Sequence, residues 1–310
     1  MIGIENIGVY IPKDCRDNFL KIYDGEPLDA DFVKERVGFL ATARKEPDEE
    51  TSDMCKKAFL DLKGRVENLS EEDIECICVC SHNGDFQLPH TSAILQDKLA
   101  LKGSCAAFDI MLACSGYVYS VNILRSFMEM NNFSTGILFT CDPYSKVLNP
   151  NDKSTDLVLG DAAAATLLST KGIFSLGKST FCTKGSGYSA IIKRKDSYLA
   201  MDNRRVLRFV LREVAPIIRE CLEKNHITEK DIDLCLFHQA SKYIVEQLGE
   251  KLSISPEKVL FEAQNYGNTI SSSIPILLQK YLGDESVKTV LMSSFGAGMS
   301  AAATIMERKS

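Results

Sequence analysis

The chain has 310 residues, 45% hydrophobic and 25% charged, proportions that exclude a disordered or collagen-like protein. Single cores stop growing near roughly 250–300 residues, so this length suits two medium domains or one large duplicated one. A net charge of −6 speaks against nucleic acid as the partner, because phosphate binding needs an overall or sharply local basic excess.

Met1-Ile2-Gly3-Ile4-Glu5 carries no basic stretch and no long apolar core, and no segment reaches the ~18 apolar residues of a membrane helix. A cytoplasmic protein without membrane insertion is expected. The eleven cysteines are odd in number, and a chain of this size in that compartment should keep them reduced.

Along the chain, Leu69 to Glu75 opens with Ser70 and an acid three residues on, a helix-start signal, and then runs into the apolar strand Cys76 to Cys80. Cys76, Cys78 and Cys80 alternate with Ile77 and Val79, so the three thiols point to one face as small fillers. Zinc is not expected, since Cys-x-Cys-x-Cys without a second cluster is not a zinc spacing. A helical pattern ends at Leu95 to Leu99, a strand-like run covers Phe108 to Leu112, and a helical pattern covers Tyr117 to Phe127. Buried strands are expected at Gly136 to Thr140 and Ala163 to Leu168.

The second half repeats the first. Ile227-Thr228-Glu229-Lys230-Asp231-Ile232-Asp233 again sets a hydroxyl three residues ahead of an acid before a strand, Leu234 to Phe237. Leu248 to Leu252 matches Leu95 to Leu99, Phe261 stands at the offset of Phe108, and Lys288 to Met292 matches Gly136 to Thr140. Each half reads as an α/β unit, with the join near Thr170-Lys171-Gly172.

Three strings carry candidate chemistry. Cys114, in Ala113-Cys114-Ser115-Gly116-Tyr117, stands after a strand and at a helix start, where unpaired backbone N–H groups are expected to stabilise a thiolate and lower its pKa. Its bland alternative is a small buried filler. His238 closes the Leu234–Phe237 strand, where an imidazole reaches a ligand as readily as it sits in a core. Asn268, in Tyr266-Gly267-Asn268-Thr269, reads on its own as a turn or cap residue.

Taken together, the Ala-Cys-Ser-Gly-Tyr, His-Gln-Ala and Gly-Asn-Thr strings, with the turn Phe295-Gly296-Ala297-Gly298, resemble the β-ketoacyl-acyl-carrier-protein synthase III branch of the thiolase superfamily. The resemblance implies a five-layered αβαβα fold built from two duplicated halves, residues 1–170 with the nucleophile and 171–310 with the histidine and asparagine. It implies Cys114, His238 and Asn268 as catalytic residues, and the backbone N–H groups of Cys114 and Ala297 as the oxyanion hole. An acyl-CoA would load Cys114, and a malonyl thioester on an acyl carrier protein would then be decarboxylated and condensed with the acyl group. No permanently bound cofactor or metal is implied; coenzyme A thioesters are the substrates.

The same resemblance places Phe32, Arg36, Lys153, Ala240 and Ser241 along the coenzyme A and phosphopantetheine path. Phe32 stands where the family has tryptophan, Lys153 where it has arginine, and Ser241 where it has asparagine. Arg204, Arg208 and Arg212 recur every four residues as one helical stripe, read either as a solvated face or as a docking surface for an acidic carrier protein. Arg208, Arg212, Lys242 and Lys251 are the docking candidates, beside the tunnel mouth. The segment Asp85 to Pro89 aligns with a loop that enters the neighbouring subunit's acyl pocket, which implies a homodimer with Leu88 as the inserted residue. Between Gly187 and Met201 the chain is shorter than a typical member, with residues 188–195 in place of a longer loop, so acyl specificity does not transfer.

Two other readings stay open. One is a cysteine-dependent acyltransferase with a non-malonyl acceptor, which has less use for Asn268. The other is a silent acyl-binding partner subunit, which would be expected to have lost one of the three groups.

Overall fold

The computed structural model describes residues 1–309. Nine strands form its main sheet: β1 Gly3–Tyr10, β2 Cys76–Cys80, β3 Ala106–Ile110, β4 Thr135–Cys141, β5 Ala163–Ser169, β6 Phe174–Thr183, β7 Leu234–Phe237, β8 Thr289–Gly296 and β9 Ser300–Arg308. Seven helices pack on them: α1 Thr51–Arg65, α2 Thr91–Lys98, α3 Gly116–Asn131, α4 Asn203–Phe209, α5 Ala215–Asn225, α6 Lys242–Leu252 and α7 Ser273–Tyr281.

The strand order is β7-β8-β9-β6-β1-β5-β4-β2-β3, and it divides at the β1–β6 contact, which is only Gly3↔Ser175 and Ile4↔Phe174. On one side β2 is parallel to β3 and β4, while β4–β5 and β5–β1 are antiparallel. On the other, β7 is parallel to β8, while β8–β9 and β9–β6 are antiparallel. A parallel bridge from Cys235 to Val259 stands where β3 stands in the first half. The repeat read from the sequence is therefore a repeat of topology.

Side-chain alternation turns this double sheet into five layers. Cys76, Cys78 and Cys80 join one core with residues of α3 and α7 and with Leu234, Leu236, Val290 and Met292. Ile77 and Val79 face the other way, onto α1 and α2. In the second half Cys235, Phe237 and Leu291 face α5 and α6. The order is thus α1/α2, sheet, α3/α7, sheet, α5/α6, the five-layered arrangement expected. One glycine shows how tightly the outer layer sits: a Cβ on Gly8 of β1 would lie 2.2 Å from the Ala58 carbonyl oxygen of α1. Among the described residues no helix is long and apolar enough to cross a membrane.

Local signals set the ends. Glu50 and Asp53 form a reciprocal capping box at α1. Ser241 Oγ accepts from the Ile244 N–H at the start of α6. The arginine stripe departs from the expectation. Phe209 ends α4, and Val210–Val214 forms a wider π-type turn before α5. Arg205, held by Ser189 Oγ at 2.9 Å, joins Arg208 and Arg212 in one depression in place of Arg204.

Candidate active site

Cys114 lies in the short loop between β3 and α3, at the inner end of the first turn of a central-layer helix. Ser294 Oγ donates to the Ser115 carbonyl at 2.7 Å, and the Ser115 and Ser300 hydroxyls are 2.6 Å apart, so the loop is tied to β8 and β9. Gly116 and Gly296 permit this closeness: added Cβ atoms would stand 2.3 Å from Cys80 Sγ and 2.4 Å from Cys114 Cβ. The backbone N–H groups of Cys114 and Ala297 both reach the thiol sulfur. They are the same two N–H groups that the resemblance names for an oxyanion hole.

The thiol's pKa corrects the sequence expectation. Burial, reinforced by the charge of Asp142, pushes it up to about 12, against the two backbone donors that favour thiolate. Helix-start polarity is real here, but desolvation outweighs it. Asp142 is fully buried, accepting from Ser271 Oγ at 2.6 Å and from the His82 N–H at 2.7 Å, and burial raises its own pKa as well.

His238 extends the β7 ladder by one residue, its N–H donating to the Ser293 carbonyl at 2.9 Å. The ring packs edge-on to Phe295, with centroids 5.5 Å apart, and is 2% exposed. Burial lowers its pKa to about 3, with a contact to the Ile270 backbone opposing. The imidazole is neutral at any ordinary pH.

Asn268 is fixed at both ends. Its N–H donates to the Val158 carbonyl at 2.8 Å, and its own carbonyl accepts from Gly160 at 2.9 Å. Oδ1 accepts from the Ile270 N–H at 2.9 Å, which orients the amide so that Nδ2 faces His238 Nε2 at 3.4 Å. Turn residue and site residue are therefore one role. Ile270 holds φ +55°, an outlying value for a β-branched residue, and so keeps its N–H on Asn268 at a cost in backbone strain.

Ser273 decides which histidine nitrogen carries the proton. Its Oγ stands 3.0 Å from the Ile270 carbonyl and 2.9 Å from His238 Nδ1, and a hydroxyl has one proton to give. Given to Ile270, it leaves Oγ to accept from Nδ1–H, so Nε2 is bare and accepts from Asn268. Given to Nδ1, it leaves Nε2–H as a donor towards the cleft.

All three groups line one largely apolar cleft of about 250 Å³, together with Phe32, Arg36, Ala240 and Ser241. Phe32 and Arg36 belong to the helical segment Phe32–Val37, and the Arg36 guanidinium stacks over Tyr243 at 5.5 Å. Ser241 reaches the cleft, and its Oγ also accepts from the Ile244 N–H in capping α6, which leaves its own proton to donate. The shortened segment becomes the hairpin Ile191–Lys193 and Leu199–Met201, from which Ile191, Leu199 and Met201 enter the lining.

Other expected residues are not brought together. Lys153 opens the one-turn helix Lys153–Asp156, exposed and outside the cleft lining. Arg208 and Arg212 line a separate depression with Lys184, Arg205, Glu213 and Met299, whereas the cleft takes Asn203, Val206 and Leu207 from other sides of α4. None of these arginines belongs to the cleft lining. Lys242 and Lys251 sit in the first and last turns of α6, and Lys242 is paired with Glu35 at 2.8 Å, so they form no single patch. Leu88 is 86% exposed in the loop after β2. Among residues the sequence reading missed, Ser273 had a signal in its place among three consecutive serines shortly after Asn268, whereas Tyr243, far from Arg36 in the chain, had none as its stacking partner. Tyr144 was missed as well.

Comparison with known proteins agrees with this geometry. Residues 108–185 match the family described as 3-oxoacyl-[acyl-carrier-protein (ACP)] synthase III, and residues 222–308 its C-terminal family, together more than half of the chain. The β-ketoacyl-[acyl-carrier-protein] synthase III of Streptococcus sanguinis is 30% identical over 317 residues, covering 96% of both chains. That of Staphylococcus aureus is 29% identical over 308 residues, again with 96% of both covered. The crystal structure of 3-oxoacyl-[acyl-carrier-protein] synthase III from Aquifex aeolicus superposes with a TM-score of 0.89 at 28% identity, covering 99% of this chain and all of that one. The Thermus thermophilus structure gives 0.91 at 25% identity, covering 99% of each.

Proposed function

The chain belongs to the 3-oxoacyl-acyl-carrier-protein synthase III family of condensing acyltransferases, and on that premise we propose that Cys114, His238 and Asn268 join an acyl-CoA to a malonyl thioester. The observation that carries the reading is the convergence of a thiol, a neutral imidazole and an oriented amide on one cleft, with two backbone N–H groups at the thiol.

In the first half-reaction Cys114 sulfur attacks the thioester carbonyl. A new carbon–sulfur bond forms, the bond to coenzyme A breaks, and the thiol proton ends on the departing sulfur. The Cys114 and Ala297 N–H groups hold the tetrahedral oxyanion. Because the buried thiol starts protonated, a base must take its proton as attack proceeds, and a bare His238 Nε2 is suited to that. In the second half-reaction the malonyl carbon–carboxylate bond breaks, releasing carbon dioxide, and its electrons form an enolate. His238 Nε2–H and Asn268 Nδ2–H then serve as donors to the enolate oxygen, the carbanion attacks the acyl carbonyl, and Cys114 leaves as a thiolate that takes one proton from solvent to regain the resting thiol. The Ser273 proton must sit on Nδ1 for this step. Two such donors, at roughly 2.7–4 kcal/mol each, account for much of the decarboxylation barrier.

Phe32 and Arg36 are assigned to the coenzyme A end of the cleft, Arg208 and Arg212 to an acidic carrier protein, and the halves 1–170 and 171–310 to the duplicated units. Glu213 is engaged by Lys184 at 3.3 Å, which leaves the arginines for an outside anion. A homodimer fits the open edge of β3, beside which Phe86, Leu88 and Met111 are 64%, 86% and 79% exposed.

The test is mass spectrometry of the intact protein with acyl-CoAs, followed by release of carbon dioxide from a malonyl thioester. Cys114→Ala should abolish the acyl adduct, and Asn268→Ala should keep the adduct and lose decarboxylation. Full condensation by Asn268→Ala would make transfer to a non-malonyl acceptor the better reading, and no adduct on the wild type would remove the enzymatic reading.

A further inference from the structure

The inner end of the cleft holds one polar group that the reaction above does not use, the hydroxyl of Tyr144. Tyr144 follows β4 at the start of a single tight turn, Tyr144–Lys146, whose carbonyl accepts from Val147 at 2.8 Å and Leu148 at 3.0 Å. The hairpin is stitched to the same turn, with the Leu199 N–H donating to the Val147 carbonyl at 3.0 Å. The residue is held on both flanks, lines the cleft and is 5% exposed.

Its ring packs with Cys114, Leu148, Leu159, Leu199 and Ile270. A tyrosine buried to this degree nearly always finds a partner for its hydroxyl. Here, among the described residues, none of the hydrogen bonds formed involves that hydroxyl, and it is not one of the fully enclosed orphan atoms either. The hydroxyl opens into the cleft. Burial, reinforced by the nearby Asp142 carboxyl, holds its pKa well above the usual value, so it is a neutral O–H.

We propose that Tyr144 selects an oxygen-bearing acyl group, one with a hydroxyl or oxo substituent along its chain, by hydrogen bonding that oxygen from the apolar end of the cleft. The inference rests on the loading of Cys114 described above and names the class of acyl group loaded. A saturated chain would fill the same space and leave the hydroxyl dry. A site built around a hydrogen bond rejects the analogue lacking it more strongly than a hydrophobic pocket rejects one methylene.

The experiment compares initial rates of Cys114 acylation by intact-protein mass spectrometry, using hexanoyl-CoA against 3-, 4- and 5-hydroxyhexanoyl-CoA. For the wild type, at least one hydroxyacyl donor should load about ten-fold faster than hexanoyl-CoA. Tyr144→Phe, which keeps the ring, should bring that ratio to near one. The inference is overturned if the wild type loads hexanoyl-CoA as fast as every hydroxyacyl donor. It is equally overturned if Tyr144→Phe keeps the preference, or slows all four donors by one factor. Absence of any adduct would instead defeat the assignment of Cys114, and this inference with it.

Discussion

Gly296→Ala tests whether the turn behind Cys114 is part of the chemistry. An added Cβ would lie 2.4 Å from Cys114 Cβ, 3.0 Å from its sulfur and 3.5 Å from its Cα, where carbon contacts normally begin near ~3.5 Å. About 1 Å of movement is needed, and Cys114 has little to give, because Ser115 is bonded to both Ser294 and Ser300. The turn must yield instead, taking the Ala297 N–H away from the sulfur. Loss of one oxyanion donor removes roughly 2.7–4 kcal/mol from the transition state, a 10²- to 10³-fold slowing. Overpacking should also lower stability by about 1–3 kcal/mol. Single-turnover acylation by mass spectrometry would give the rate, and thermal unfolding would verify that the fold persists. Acylation within ten-fold of wild type in a folded protein would refute the argument that this turn supplies an oxyanion donor.

Ser273→Ala leaves His238 Nδ1 without its side-chain partner; decarboxylation should fall about ten-fold or more in kcat with little change in KM, and Ser273→Thr should restore it, as steady-state kinetics would show. His238 also predicts an acid limb in stability. Its pKa falls from 6.5 unfolded to about 3 folded, so the unfolded chain binds the extra proton between those values. Stability is therefore complete above about pH 6.5 and declines towards pH 3, by about 1.4 kcal/mol per unit at most, and denaturant titrations of His238→Gln should show a shallower limb. Charge reversal at Arg208 or Arg212 should raise KM for a carrier-protein substrate while sparing a small malonyl thioester, and the effect should shrink with added salt. If sedimentation shows a monomer at micromolar concentration, Leu88 and β3 do not meet a second copy.

The parts of this molecule that were legible in its sequence are those written locally. The repeat showed because each half spells hydroxyl, acid and strand at one spacing, and the three catalytic candidates showed because each sits beside small residues at an element's end. What depended on packing did not show. The polarity of a helix start is visible at Cys114, but the burial that outweighs it comes from layers far apart in the chain. The arginine stripe assumed uninterrupted α-helical winding, which the π-type turn at Val210–Val214 replaces. Lys242 reads as a docking candidate in the sequence, whereas the fold sets Glu35 beside it. Tyr144 lacks any motif, and its meaning lies only in the company its ring keeps.

The central layer has a consequence for how such a site can change. Cys114 stands just before α3 and Asn268 just before the turn into α7, so corresponding loops of the two repeats meet in one place. Two separate copies of a half would bring two identical loops to that meeting point, each bound to serve both purposes at once. A single continuous chain releases them from sameness. One loop can hold the nucleophile and the other the amide, and a substitution in either is seen once, not twice, so the architecture can stay redundant while the reactivity diversifies.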